Sequence, residues 1–290
     1  MQTSSCPDNG HEPPTADLVT VDPAVVGDGP LDANECRSAC ATVGDGQVVT
    51  CVRQSSDSVF CIAQPFPCEG RRPHGLKESM LRFEKNGFSR HLADAAWLEA
   101  ASVDAFRRLR RELEAHGAPR RLIRAASQSA RDERRHARTA RALARRFGVS
   151  VPRVDCAPFE RRSLFDLALE NAVEGCVRET WGALVAMRQA ERAEDLGVRA
   201  AMAGIARDEL RHAELAWRID RWLAPRLTRE HRQKVGEARQ SAVNQLKNEL
   251  AQELGLSERQ RLGLPGAHEA HLMLVELDRA LRMSARSGAS

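Results

Sequence analysis

The chain has 290 residues, with 44 lysines and arginines against 40 aspartates and glutamates, a formal charge of +4. That length supports one sizeable core plus a smaller module, and no run of about 18 apolar residues is present to span a membrane. Most basic residues are arginines dispersed among acids, the pattern of solvated helix faces laced with i,i+4 pairs, so nucleic acid is not an expected partner.

Residues 1–35 hold no lysine or arginine and are rich in Asp, Pro, Gly and Thr. Such a composition buries too little apolar surface to offset its ordering entropy and is expected to form a flexible acidic tail. Residues 36–75 are expected to form a cysteine-rich module. Six of the eight cysteines, Cys6, Cys36, Cys40, Cys51, Cys61 and Cys68, precede the helical part of the chain. Their spacings lack paired Cys-x-x-Cys steps, which favours disulfides over zinc. Short apolar pieces at Gln47–Val52 and Val59–Ala63, separated by turn-forming residues, read as a hairpin. Disulfides require an oxidising compartment, so an extracytoplasmic location (periplasmic, secreted or lipid-anchored) is expected. Met1–Asp22 has no basic-then-apolar signal region, so the export signal is expected to lie outside this sequence.

After Gly70-Arg71-Arg72-Pro73 the sequence turns to long Ala-, Leu-, Arg- and Glu-rich stretches of strong helix formers. Four helices are predicted within residues 85–225: at 87–116, 119–147, 161–193 and 196–223. Breaks fall at Gly117-Ala-Pro119, Gly148–Pro158 and Gly197. Short first and last connections force antiparallel neighbours, giving an all-α, antiparallel four-helix bundle. A C-terminal extension over 226–285 is expected to add two helices, at 228–255 and 266–284, packed outside the bundle.

Each predicted helix carries an ionisable group inside its apolar stripe. On the first, Glu99 falls among Leu92, Ala96, Val103 and Phe106. On the second, Glu133 and His136 interrupt a stripe running from Leu122 to Ala144. On the third, Glu174 lies among Leu167, Val177 and Trp181, and on the fourth Glu209 and His212 lie among Val198, Ile205, Ala216 and Ile219. Four buried carboxylates at one level would repel and take up protons unless cations neutralise them. Two divalent ions balance four carboxylates, and Glu and His at i,i+3 can approach one ion from the same helix face. The pattern is duplicated. Ala130-Arg-Asp-Glu133-Arg-Arg-His136-Ala137 matches Ala206-Arg-Asp-Glu209-Leu-Arg-His212-Ala213 at seven of eight positions. Asp132 and Asp208 repeat with the ligands and are candidates to orient an imidazole, or else solvent-facing acids beside arginines. The alternative to metal is a set of buried ion pairs with Arg178 or Arg211.

One Glu from each of two helices, with Glu-x-x-His from each of the other two, resembles the ferritin-like di-iron carboxylate superfamily of ferritins, rubrerythrins and manganese catalases. The resemblance covers about 140 residues. It implies a ferritin-like bundle in which Glu99, Glu133, His136, Glu174, Glu209 and His212 hold two metal ions, iron or alternatively manganese or a mixed pair. It further implies redox chemistry with dioxygen or peroxide, of oxidase, peroxidase or ferroxidase type. Two other readings stand beside it: metal sequestration without catalysis, and a metal-stabilised structural or interaction protein of the cell envelope. A homodimer or an envelope protein partner is compatible with the sequence.

Several residues near the pattern receive other readings. Glu170 and Glu179 flank Glu174 and either is a possible extra carboxylate of the site, with surface solvation the favoured role for Glu179. Cys176 reads as a packed thiol, with pairing to Cys156 left open. His268 and His271 are read as residues at a helix start, and His91 and His116 as surface residues. The chain has no tyrosine, so an aromatic electron relay falls to Trp97 or Trp181 or is absent; Trp181 reads as an aromatic wall of the site or, more simply, as a core residue.

Overall fold

The structure, a computed structural model, describes residues 15–20, 47–55, 58–64, 71–77, 87–249 and 256–287. The chain divides into two compact units, Met1–Pro67 and Cys68–Ser290.

In the first unit, β1 (Thr15–Thr20), β2 (Gln47–Ser55) and β3 (Ser58–Gln64) form an antiparallel sheet in the order β1-β3-β2. The β-branched and aromatic residues of β2 and β3 suit a pleated surface, and the two-residue link between them makes a hairpin. Thr15–Thr20, expected within the flexible tail, instead pairs with β3 from Thr15↔Ala63 to Thr20↔Ser58. The rest of that tail lies outside the described residues. Cys51 is in backbone register with Cys61. The disulfides expected of Cys6, Cys36, Cys40, Cys51, Cys61 and Cys68 lie outside the described side chains. Arg71–Gly75, expected at the end of the cysteine-rich module, falls in the second unit.

The regular secondary structure of the second unit's described residues is helical except for a single bridge, Leu76↔Cys156. Its long segments are α1 (Gly87–Ala115), α2 (Arg120–Arg146), a continuous third helix, and α5 (Leu196–Leu223). The third helix comprises α3 (Leu164–Glu170), a π-helical stretch (Asn171–Glu179) and α4 (Thr180–Arg192). Gly117 and Gly148, with φ of 69° and 74°, end α1 and α2 by entering the left-handed region that glycine tolerates. Ser163 starts the third helix through a capping box with Asp166, and Asp195 starts α5 by accepting from the Gly197 and Val198 amides. α1 packs on α2, α5 on both α4 and the π stretch, and α2 on α5.

Two apolar clusters fill the ends of this assembly. Phe106, Leu109, Leu113, Leu122, Leu167, Leu215 and Ile219 occupy one end. Leu92, Ala93, Ala144, Val149, Ala193 and Val198 occupy the other. The middle turns of the four segments lie between these two apolar clusters.

Beyond a 3-10 turn at Ala224–Arg226 come α6 (Arg229–Glu249), α7 (Leu256–Leu262) and α8 (Ala267–Ser287). Two helices were expected here; Leu256–Leu262 is a third, short one. α6 lies against the π stretch and α8 against α6 and α4. Their apolar faces enclose Val177, Trp181 and Val185, so Trp181 is a core residue beneath the C-terminal helices. Among the described residues no helix is long and apolar enough to cross a membrane. Cys156 and Cys176 are free thiols; burial pushes the Cys176 thiol far above its ordinary pKa.

Candidate metal centre

At mid-height, carboxylates and imidazoles from all four long segments converge in two overlapping groups. One is Glu99, Glu133, His136 and Glu209; the other is Glu133, Glu179, Glu209 and His212, with the ligand atoms of each group all within 4.8 Å of one another. Glu133 and Glu209, the acids of the two repeated motifs, belong to both groups. Glu99 with His136 and Glu179 with His212 complete one group each. His136 Nδ1 stands 3.1 Å from Glu209 Oε1, 3.5 Å from Glu99 Oε2 and 3.7 Å from Glu133 Oε2. His212 Nδ1 stands 3.0 Å from Glu133 Oε1, 3.5 Å from Glu209 Oε1 and 3.7 Å from Glu179 Oε2. The two imidazole centroids are 5.8 Å apart. Two metal positions sharing a pair of carboxylates have this layout.

The structure brings together five of the six residues expected from sequence, Glu99, Glu133, His136, Glu209 and His212. The sixth is Glu179 and not Glu174. Glu174 Oε2 accepts from the Arg72 amide at 3.1 Å, and its other oxygen lies 3.7 Å from Arg178 Nε. The cause is the π stretch. Its i→i+5 hydrogen bonds put more than 3.6 residues in each turn, so every residue advances less than the roughly 100° of an α-helix. Over Asn171–Glu179 the lag accumulates, and Glu179 swings from the surface position an α-helix would give it into the centre. Gly175 lies within this stretch, where a Cβ would stand 2.8 Å from the Ala216 Cβ and 2.9 Å from Asn171 Oδ1. Close helix approach there needs a glycine. Glu170, weighed as an extra ligand, is instead bound bidentately by Arg71 at 2.8 and 2.7 Å.

The repeated aspartates act across the helix pair. Asp208 on α5 accepts from His136 Nε2 on α2 at 3.0 Å, and Asp132 on α2 stands 3.7 Å from His212 Nε2 on α5. A proton held on Nε2 leaves Nδ1, the nitrogen facing the carboxylates, with a free lone pair. Arg135 and Arg211 balance these aspartates: Arg135 bonds Asp132 at 2.6 Å and Asp208 at 2.9 Å, and Arg211 bonds Asp208 at 2.5 Å and Asp132 at 3.2 Å.

Among the described ion pairs no lysine or arginine reaches Glu99, Glu133, Glu179 or Glu209, and Arg178 and Arg211 pair elsewhere. The electrostatics follow from that crowding. Burial, with neighbouring carboxylates, drives Glu99 and Glu179 well above the ordinary carboxylate range. Burial would raise Glu209 as well, but the charge of His212 and the contacts of both imidazoles outweigh it and hold its pKa low. His136 and His212 lose from burial but gain more from the surrounding acids, so both are raised. Without a cation the cluster thus balances itself by holding protons. Both oxygens of Glu179, Nδ1 of each histidine and Nε2 of His212 are buried with no aligned hydrogen-bond partner, although native proteins satisfy nearly all such atoms. Carboxylate oxygens and imidazole nitrogens converging without hydrogen bonds are a donor set suited to iron or manganese.

Comparison with protein-family models, curated proteins and solved structures gave no match.

The other histidines lie apart from this cluster. His116 Nε2 meets the Arg162 carbonyl at 2.9 Å, and burial lowers the His91 pKa to about 4, so neither is the plain surface residue expected. His268 and His271 lie in the first turns of α8, as the sequence suggested.

Proposed function

We propose that the chain is a ferritin-like four-helix-bundle protein holding two divalent metal ions, iron or manganese, which react with dioxygen or peroxide. The observation that carries the reading is the pair of four-residue groups sharing Glu133 and Glu209, with buried donor atoms that no protein group satisfies. Such ions would supply open coordination positions and electrons for a small oxidant. The chain's own residues do the rest. Glu133 and Glu209 set the spacing of the two positions, and Glu99 and Glu179 each terminate one. Asp208 fixes the His136 imidazole and Asp132 stands beside His212 Nε2, with Arg135 and Arg211 keeping those aspartates ionised. The leucine-rich clusters above and below exclude water from the reacting groups.

The test is elemental analysis of the purified protein, joined to anaerobic loading with Fe(II) and mixing with oxygen or peroxide. Two metal ions per chain and oxidation of bound Fe(II) faster than free Fe(II) support the reading. Two ions without oxidation leave a structural dinuclear site, and fewer than two overturn the dinuclear assignment.

A further inference from the structure

The two halves of the cluster differ in their access to water. The Glu99 side chain is 22% exposed, whereas Glu179 and His212 are 0% exposed. The sealed side has a lid. The buried Arg71 guanidinium lies 5.6 Å above the Phe106 ring, and that ring packs 4.8 Å from the His212 imidazole. Glu170 anchors the guanidinium, and the backbone beside it is pinned to two different helices. Ser102 Oγ on α1 donates to the Arg71 carbonyl at 3.0 Å, and the Arg72 amide donates to Glu174 Oε2 on the π stretch at 3.1 Å. Gly175 leaves the space the guanidinium needs, since a Cβ there would be 3.2 Å from Arg71 Nη1. Further along, Arg108 bonds the His74 carbonyl at 3.1 Å, and the Ala157 amide bonds the Gly75 carbonyl at 2.8 Å. Arg71–Lys77 is a strap tied across α1, the π stretch and the segment before α3.

We propose that the two metal positions are kinetically inequivalent: the Glu99–His136 position exchanges its ion with solvent, while the Glu179–His212 position releases its ion only when the Arg71–Lys77 strap opens. The inference rests on the dinuclear reading above. An ion at the first position can be reached once Glu99 moves. An ion at the second must wait for a local opening that breaks the hydrogen bonds of Ser102 and Glu174, and the population of that open form sets its rate of loss. Glu174, displaced from the ligand set, acts here as a positioning residue for the strap.

The experiment follows release of Fe(II) from the anaerobically loaded full-length chain into excess chromogenic chelator. The expected course is two phases of equal amplitude, separated by about ten-fold or more in rate. Glu174→Ala and Ser102→Ala, which each remove the acceptor or donor of a strap bond, should accelerate the slow phase and leave the fast phase unchanged, and Glu179→Leu should abolish the slow phase. Ser102→Ala removes only a hydroxyl and carries the test if Glu174→Ala does not fold. A single phase for both ions, a slow phase indifferent to both strap variants, or equal acceleration of both phases would overturn the inference. Fewer than two irons bound by the native chain would overturn the dinuclear reading instead.

Discussion

Replacing Glu179 by leucine should change stability with opposite signs in the presence and absence of metal. In the metal-free protein Glu179 is fully buried with both oxygens unsatisfied, and its raised pKa shows that its surroundings disfavour the charge. A buried polar group left without a partner costs about 1–3 kcal/mol. Glu179→Leu, similar in volume and apolar, should therefore stabilise the chelator-treated protein by about that amount, or roughly 2–4 °C in Tm per kcal/mol for a unit of this size. With metal the balance reverses. The variant loses the His212-side position, and with it linkage worth about 2.7 kcal/mol at a free ion concentration 100-fold above Kd. Thermal melts with chelator and with added Mn(II), beside elemental analysis, give both signs and the stoichiometry. Glu174→Gln is the control and should keep two ions. A Glu179→Leu protein that still binds two ions, or that is destabilised in chelator, would refute the placement of Glu179.

Other consequences follow from the surrounding residues. Asp208→Asn should weaken metal binding at the His136 side by about 10–100-fold, and Asp132→Asn should do the same at the His212 side; calorimetric titration with Mn(II) reads both. Arg71→Met removes the bidentate partner of buried Glu170 and leaves Arg162 at 3.6 Å, and should cost about 3–5 kcal/mol in urea unfolding, whereas adding Glu170→Leu should recover most of it. The metal-free protein should lose stability as pH rises from about 5 to 8. Glu99 and Glu179 have folded pKa values above their unfolded ones, so over that range the folded state holds protons that the unfolded state has released. His136 and His212 are raised too, so their contribution is full below the unfolded value of 6.5 and fades as pH climbs toward their folded values. Glu209 and Glu170 are lowered and act oppositely, their contribution vanishing only in acid. Metal displaces the bound protons, so the Tm gap between loaded and chelated protein should widen with pH. A gap constant from pH 5 to 8 would contradict this.

The helices and most of the cluster were legible because each charged residue interrupted a 3.6-residue apolar stripe, and because the Ala-Arg-Asp-Glu motif occurs twice. The partner of the second motif was misread for a definite reason. Counting back from Glu209 as from Glu133 lands near Glu174, and an α-helical wheel turns Glu179 outward by about 140° relative to Glu174. Nothing in Asn-Ala-Val-Glu-Gly-Cys-Val-Arg-Glu states that the stretch will be π-helical. Gly175 is the one local hint, and its reason for being there, the approach of Ala216 and Arg71, is tertiary. Arg71 was equally hidden. It is one of two arginines beside a proline in a linker-like run, and only the pairing with Glu170, 99 positions away, makes it structural.

The same pairing decides how the buried charge should be interpreted. A network retained as ion pairs would have set arginines against the innermost acids, and arginine is abundant in these helices. Instead each outer acid has its cation: Asp132 and Asp208 have Arg135 and Arg211, Glu170 has Arg71, and Glu112 has Arg162 at 2.7 Å. Among the described ion pairs Glu99, Glu133, Glu179 and Glu209 have no arginine or lysine and face one another and two imidazoles, Arg71 acting on Glu179 only from a distance. Four carboxylates and two imidazoles enclosed by neutralised neighbours could hold metal ions, and two divalent cations, as proposed above, would balance four formal negative charges. With the described arginines paired to the surrounding acids, these four are neutralised by bound protons or, on the reading proposed above, by metal ions that displace them.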